Sequence, residues 1–289
     1  IGRRQVFYFT GEKKMQSKTI TKTRKLVECA ILIAIASVLS MIKLIDLPYG
    51  GSVTIASMLP IIIIAYKYGM GWGLSSGLIF AVIQQLMGLK NLSYGTSWQA
   101  VVAIILLDYI IAFTVAGFGG VFRKKIKNQN TALVMGIILV SVLRYICHVI
   151  SGATVWAGLS IPTNAALIYS LGYNATYMLP EMIVLIIIGY YLSNMLDLSE
   201  NGDFKPRKTE EQKGLASLPF NIAGGLVITA GLIYDTVAVF SQIQNAETGD
   251  FDITLLANVS WLYVAIVSAV AAVAAAIFFI IGKKVKNSK

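Results

Sequence analysis

Charge is scarce in this chain. Asp, Glu, Lys and Arg together make up 13% of its 289 residues, while 56% are hydrophobic. A soluble domain carries roughly 25% charged residues. A soluble protein so poor in charge could not cover its surface, which excludes an ordinary soluble enzyme. With a mean hydropathy of +0.72, the chain reads as an α-helical integral membrane protein. Histidine occurs once, at His148, and cysteine twice, at Cys29 and Cys147. That set builds neither a zinc site nor a disulfide scaffold, and both cysteines sit in apolar runs as packed thiols. There is no G-x-x-x-x-G-K-S/T, no H-E-x-x-H and no serine beside a histidine in a triad order. Neither a cofactor nor a catalytic residue is expected. The net charge of +10 does not indicate nucleic acid, because the basic residues flank apolar segments instead of forming one face.

A spanning helix needs about 20 mostly apolar residues. Eight such segments are expected, at 26–45, 52–66, 69–88, 97–121, 131–158, 165–195, 215–240 and 254–282, the second being short. Of 24 Lys and Arg residues, 21 fall on one side of these spans. Only Lys43 and Lys90 fall opposite, and Arg144 lies inside a span. The excess of basic residues predicts a cell-membrane protein with both termini in the cytoplasm. The acidic loop Gln244–Asp252 then lies outside. The first apolar run follows 25 residues and no small-residue cleavage site comes after it, so no cleaved signal is expected. Translation is expected to start at Met15, since Gly11–Lys14 could be encoded by a purine-rich ribosome-binding site; a disordered tail is the alternative. The chain therefore divides into a basic tail (1–25), six spans (26–197), a polar cytoplasmic linker (198–214) and two further spans (215–289).

Ionisable residues inside spans are costly, and each is a functional candidate. Asp108 lies in span four. Arg144 and His148 lie in span five, four residues apart and so on one face. Glu181 follows Pro180 in span six, and Asp235 is in span seven. Arg144 with Glu181 reads as a structural ion pair, and Asp235 as paired within the last two spans or near the surface. Tyr109, Trp156, Tyr169, Tyr173, Asn174 and Tyr177 surround the candidates, with 169, 173 and 177 forming one stripe. Trp and Tyr are also common at membrane interfaces, so Trp156 and Tyr169 alone would be belt residues. Together, a carboxylate, an imidazole, an indole, phenols and an amide suit a small, flat, cationic heteroaromatic guest, because aromatic faces attract a ring cation and a carboxylate supplies its counter-charge.

The stretches Leu106–Phe113, Arg144–Gly152, Trp156 and Tyr169-Ser170-x-x-Tyr173-Asn174 resemble the thiamine-specific substrate-binding (S) components of energy-coupling factor (ECF) transporters, the ThiT or YuaJ type. The resemblance covers about residues 24–197. It implies a six-helix S-component bundle that captures thiamine from outside and docks on an ECF module of one transmembrane coupling protein and two ABC ATPases. It also implies that Asp108, Tyr109, His148, Trp156, Tyr169 and Asn174 bind thiamine, and that Ala30-x-x-x-Ala34 packs on the coupling protein. Asp108 stands where a longer Glu can occur. Gly51 stands where some members carry an aromatic lid, for which Tyr49 is a candidate substitute. The last two spans lie outside the resemblance. The alternative is a self-sufficient proton-coupled transporter or an intramembrane enzyme, with Asp108, Arg144 and Glu181 as a proton relay.

Overall fold

The computed structural model describes residues 2–47, 50–158, 163–199, 204–206, 217–243 and 253–287. The chain is an all-α membrane protein, with one short hairpin among the described residues. Among the described residues, six helical stretches are long and apolar enough to cross a membrane: Met70–Met87, Trp98–Gly120, Gln129–Val155, Ala166–Met195, Pro219–Ile243 and Trp261–Val285. Two more apolar segments complete the set. One is the second half of α1 (Gly2–Met41), and the other is α2 (Leu59–Tyr68).

The first two expected spans need correcting. Helix α1 stops at Met41, and strands β1 (Lys43–Asp46) and β2 (Ser52–Thr54) pair antiparallel, Lys43 opposite Thr54 and Asp46 opposite Ser52. Glycine permits the turn, since Gly50 sits at φ +94°, where a Cβ would be strained. The β-branched Val53 and Thr54 favour the pleated strand. What remains of the second span is α2, ten residues and about 15 Å long, half the thickness of a bilayer core. All ten of its residues are buried. It is thus a core helix inside the bundle, not a lipid-facing span.

The fourth span is one rod of mixed winding: α4 (Trp98–Ala103), a π-helical segment (Ile104–Ile111), α5 (Ala112–Thr114) and a 3₁₀ segment (Val115–Gly120). Helix α3 (Met70–Met87) lies against its second half. A Cβ on Gly117 would come within 2.4 Å of the Leu74 backbone nitrogen, so a small residue permits this approach. Helices α6 (Gln129–Gly158) and α7 (Thr163–Met195) pack along each other.

Beyond them, α8 (Leu218–Ile243) lies between α7 and α9 (Trp261–Asn287). Gly225 abuts Ile187 of α7. The buried Asp235 accepts from the Ser268 hydroxyl on α9 at 2.5 Å.

The stretch expected to be a polar linker begins with a packed turn. Leu198 is fully buried, and its N–H donates to the Gln129 side chain, whose amide donates to the Ser193 and Leu196 carbonyls. The Asp197 N–H donates to the Lys205 carbonyl, and Leu196 bridges to Pro206. Phe204 packs on the core. Its ring centroid lies 3.7 Å from the ammonium of Lys67, which is fully buried at the end of α2. Lys67 also pairs with Glu28 of α1 at 2.9 Å, and Tyr68 donates to the same carboxylate.

A buried ammonium needs its carboxylate. Glu28→Ala is expected to destabilise the protein by about 3 kcal/mol, while Glu28→Ala with Lys67→Met recovers most of the loss. Thermal unfolding in detergent measures both, and an unchanged midpoint for the single variant contradicts the assignment.

Candidate functional site

Helix α6 presents Arg144, His148 and Ser151 along one side, and each meets a polar group from another helix. Arg144 Nη1 donates to Glu181 Oε2 of α7 at 2.8 Å, with both side chains buried. Thr54 of β2 donates to Glu181 Oε1 at 2.8 Å, and its hydroxyl also lies 2.8 Å from the Ser57 hydroxyl. The Arg144 guanidinium stands 5.0 Å from the centroid of Phe113. This network ties the hairpin, α6 and α7 together, as a structural ion pair would.

One turn further along, His148 Nδ1 lies 2.8 Å from Asp108 Oδ1, and Ser151 donates to Asp108 Oδ2 at 2.8 Å. Asp108 sits in the π-helical segment. Its wider i→i+5 turns recur at functional sites. The Asp108 side chain keeps 26% of its surface exposed, whereas His148 keeps 11%. Among the described residues, His148 Nε2 is buried without a hydrogen-bond partner.

The tyrosines of α7 line the other side. Tyr169 and Tyr173 stack at 6.0 Å and 16°, Tyr173 meets Tyr177 at 5.7 Å and 65°, and Tyr177 stands edge-on to His148 at 6.3 Å. Asn174 ties the two helices. Its Nδ2 donates to the Ser170 carbonyl at 2.9 Å and to the His148 carbonyl at 3.3 Å, and its Oδ1 accepts from Tyr177 at 2.5 Å.

The hairpin closes over this stack. The Gly51 N–H donates to the Tyr173 hydroxyl at 3.1 Å. A Cβ at Gly51 would lie 2.7 Å from that hydroxyl and 2.8 Å from the Tyr177 ring. An aromatic lid at this position would collide with the tyrosines as they stand.

Asp108, His148, Asn174 and the tyrosine stripe therefore come together. Tyr109 points elsewhere: its hydroxyl accepts from Asn91 at 2.8 Å and donates to the Gly88 carbonyl at 3.2 Å, within a separate cluster of Ala100, Ile104 and Val155. Trp156 lies on α6, two turns beyond His148, but its side chain is outside the described residues, as is Tyr49. Ala30 and Ala34 are exposed on α1, on the side away from Cys29, Ile33 and Ala36. Among the described residues no cluster of metal-ligating side chains exists. The residue missed from the sequence is Ser151. Its signal is its place three positions after His148, on the same helical face.

The chain is similar to known proteins in three respects. A family model described as thiamine transporter protein (Thia_YuaJ) matches residues 26–199. A curated relative, the thiamine transporter ThiT of Bacillus subtilis (strain 168), is 35% identical over 184 residues, spanning 60% of this chain and 90% of the relative. A solved structure of ThiT from Listeria monocytogenes is 27% identical and covers 60% of this chain and 94% of that one, with a TM-score of 0.48. The matched family region contains every residue of the cluster and ends before α8.

The Gly51 geometry makes its own forecast. Gly51→Ala is expected to lift the hairpin from the tyrosine stack and to raise amide hydrogen exchange in residues 43–54, with α6 and α7 unaffected. Unchanged exchange in the hairpin refutes the close contact.

Proposed function

The chain belongs to the thiamine transporter protein family, and on that premise we propose that it captures thiamine from outside the cell in the cluster around Asp108 and His148. The observation that carries this reading is a partly open carboxylate held against the chain's sole imidazole, beside a buried tyrosine stripe. A ring cation gains about 2 kcal/mol from a desolvated aromatic face, and the carboxylate supplies the counter-charge that a cation in a low-dielectric bundle requires. In this reading His148, Trp156 and Tyr169 take the thiazolium side, Asn174 stands by the pyrimidine, and Tyr109 shapes the wall from behind through its bonds to Asn91 and Gly88.

The energy for uptake comes from elsewhere. The chain has no phosphate-binding loop for ATP, so the proposal includes an ECF module of a coupling protein and two ABC ATPases. Exposed Ala30 and Ala34 on α1 offer a small-residue face on which such a partner helix can pack closely. The excess of basic residues on one side of the spans supports an orientation with both termini in the cytoplasm and the β1–β2 hairpin outside.

Asp108→Asn removes the charge at nearly constant shape. It is expected to weaken thiamine binding by about 3 kcal/mol, as when a buried charge loses its partner. Calorimetry decides, and a loss below about 1 kcal/mol would make Asp108 a structural group.

The site also predicts independence from α8 and α9. Leu198 and Phe204 pack against the six-span part, and Pro206 bridges back to Leu196, so the cut belongs after Pro206. Removing residues 207–289 is expected to change thiamine affinity by less than about threefold, under 1 kcal/mol. A monodisperse truncated protein that fails to bind would assign the extra pair a part in the site.

A further inference from the structure

Ser151 touches the central group of the site without being part of the thiamine contacts proposed above. It is fully buried, and its hydroxyl donates to Asp108 Oδ2 at 2.8 Å while His148 Nδ1 meets Oδ1 at the same distance. One face of α6 therefore grips both oxygens of a carboxylate that belongs to another helix. An ionised carboxylate only accepts, so the proton between Oδ1 and Nδ1 sits on the nitrogen. That leaves the state of Nε2 to decide. It is buried with no hydrogen-bond partner among the described residues. An unpaired N–H of a buried imidazolium would cost more than an unpaired lone pair on a neutral ring, and a bare Nε2 is an open acceptor.

We propose that Ser151 is a positioning residue. It pins the Asp108 carboxylate and through it fixes His148 as the neutral Nδ1–H tautomer, whose bare Nε2 accepts an N–H or O–H from the bound molecule. The proposal rests on the thiamine reading for the identity of that molecule. Thiamine carries two such donors, an aromatic amine and a hydroxyl. The arrangement also explains how a carboxylate with two donors can still balance a cation. With His148 neutral, the Asp108–His148–Ser151 unit keeps a full negative charge, and its one open acceptor nitrogen adds direction to that charge.

The test uses the full chain labelled with [15N]histidine. His148 is the only histidine, so the spectrum reports one imidazole. The ligand-free protein is expected to show a protonated Nδ1 and a bare Nε2, and thiamine is expected to shift the Nε2 signal as it takes a hydrogen bond. In Ser151→Ala the two nitrogen signals are expected to move toward a tautomer mixture. Thiamine affinity is expected to fall about tenfold, in line with loss of one hydrogen bond to a charged group. Ser151→Thr, which keeps the hydroxyl, is expected to restore both readouts.

An imidazolium or an Nε2–H tautomer in the wild-type protein overturns the proposal without any variant. So does Ser151→Ala that leaves both the spectrum and the affinity unchanged. A wild-type protein with the Nδ1–H tautomer that fails to bind thiamine refutes the thiamine reading instead, and leaves the role of Ser151 in place.

Discussion

Arg144 and His148 stand one turn apart on α6, and each is tied to a carboxylate on a different helix, Glu181 of α7 and Asp108 of the π-helical segment. Lipid offers these four groups no partner, so their pairing constrains how the helices assemble. Without the hydrophobic drive available in water, helices in a bilayer choose neighbours by close packing and by such polar contacts. The Arg144–Glu181 pair recruits Thr54 of the hairpin and anchors the core. The His148–Asp108 pair, one turn along the same face, keeps part of its carboxylate open. A single helical face thus carries both the bundle's structural tie and its proposed binding group.

The division of labour follows from burial. Arg144 and Glu181 are both buried, so removing either would leave the other as an uncompensated buried charge. Asp108 is less enclosed, and the aromatic groups gather on its side. The hairpin stands over the tyrosine stack through the Gly51–Tyr173 contact, so a single element reports on both networks: Thr54 at its base touches Glu181, and Gly51 near its turn touches the tyrosines.

Much of this was legible in the sequence because membrane chains write their plan in hydropathy and charge. The long apolar runs match α3, α6, α7 and α8 to within three residues, while α9 starts seven residues later than its run. The spacing of four between Arg144 and His148 puts them on one face, and the rings of Tyr169, Tyr173 and Tyr177 meet in sequence along one stripe, as their period implies. The misses have physical causes. A ten-residue helix buried on every side, α2, has the same apolar composition as a span, so composition alone overextended it into the hairpin. The winding of Ile104–Ile111 depends on its neighbours and leaves no mark in the residue pattern. It turns Tyr109 toward Asn91 and Gly88 while Asp108 faces α6. Ser151 was overlooked because a serine in an apolar helix is common, and its meaning appears only beside a carboxylate from another helix. Leu198 and Phe204 are buried or packed on the core within a stretch whose residue pattern is dominated by charge, so their docking is not legible from composition.

The most direct test of the account is a native mass spectrum of the purified chain, without partner subunits, after exposure to thiamine. The account predicts one bound molecule of thiamine's mass, lost in Asp108→Asn, and no thiamine accumulation when this chain alone is placed in liposomes under a proton gradient. A chain that retains no thiamine, or one that concentrates it unaided when a proton gradient is applied, contradicts the account.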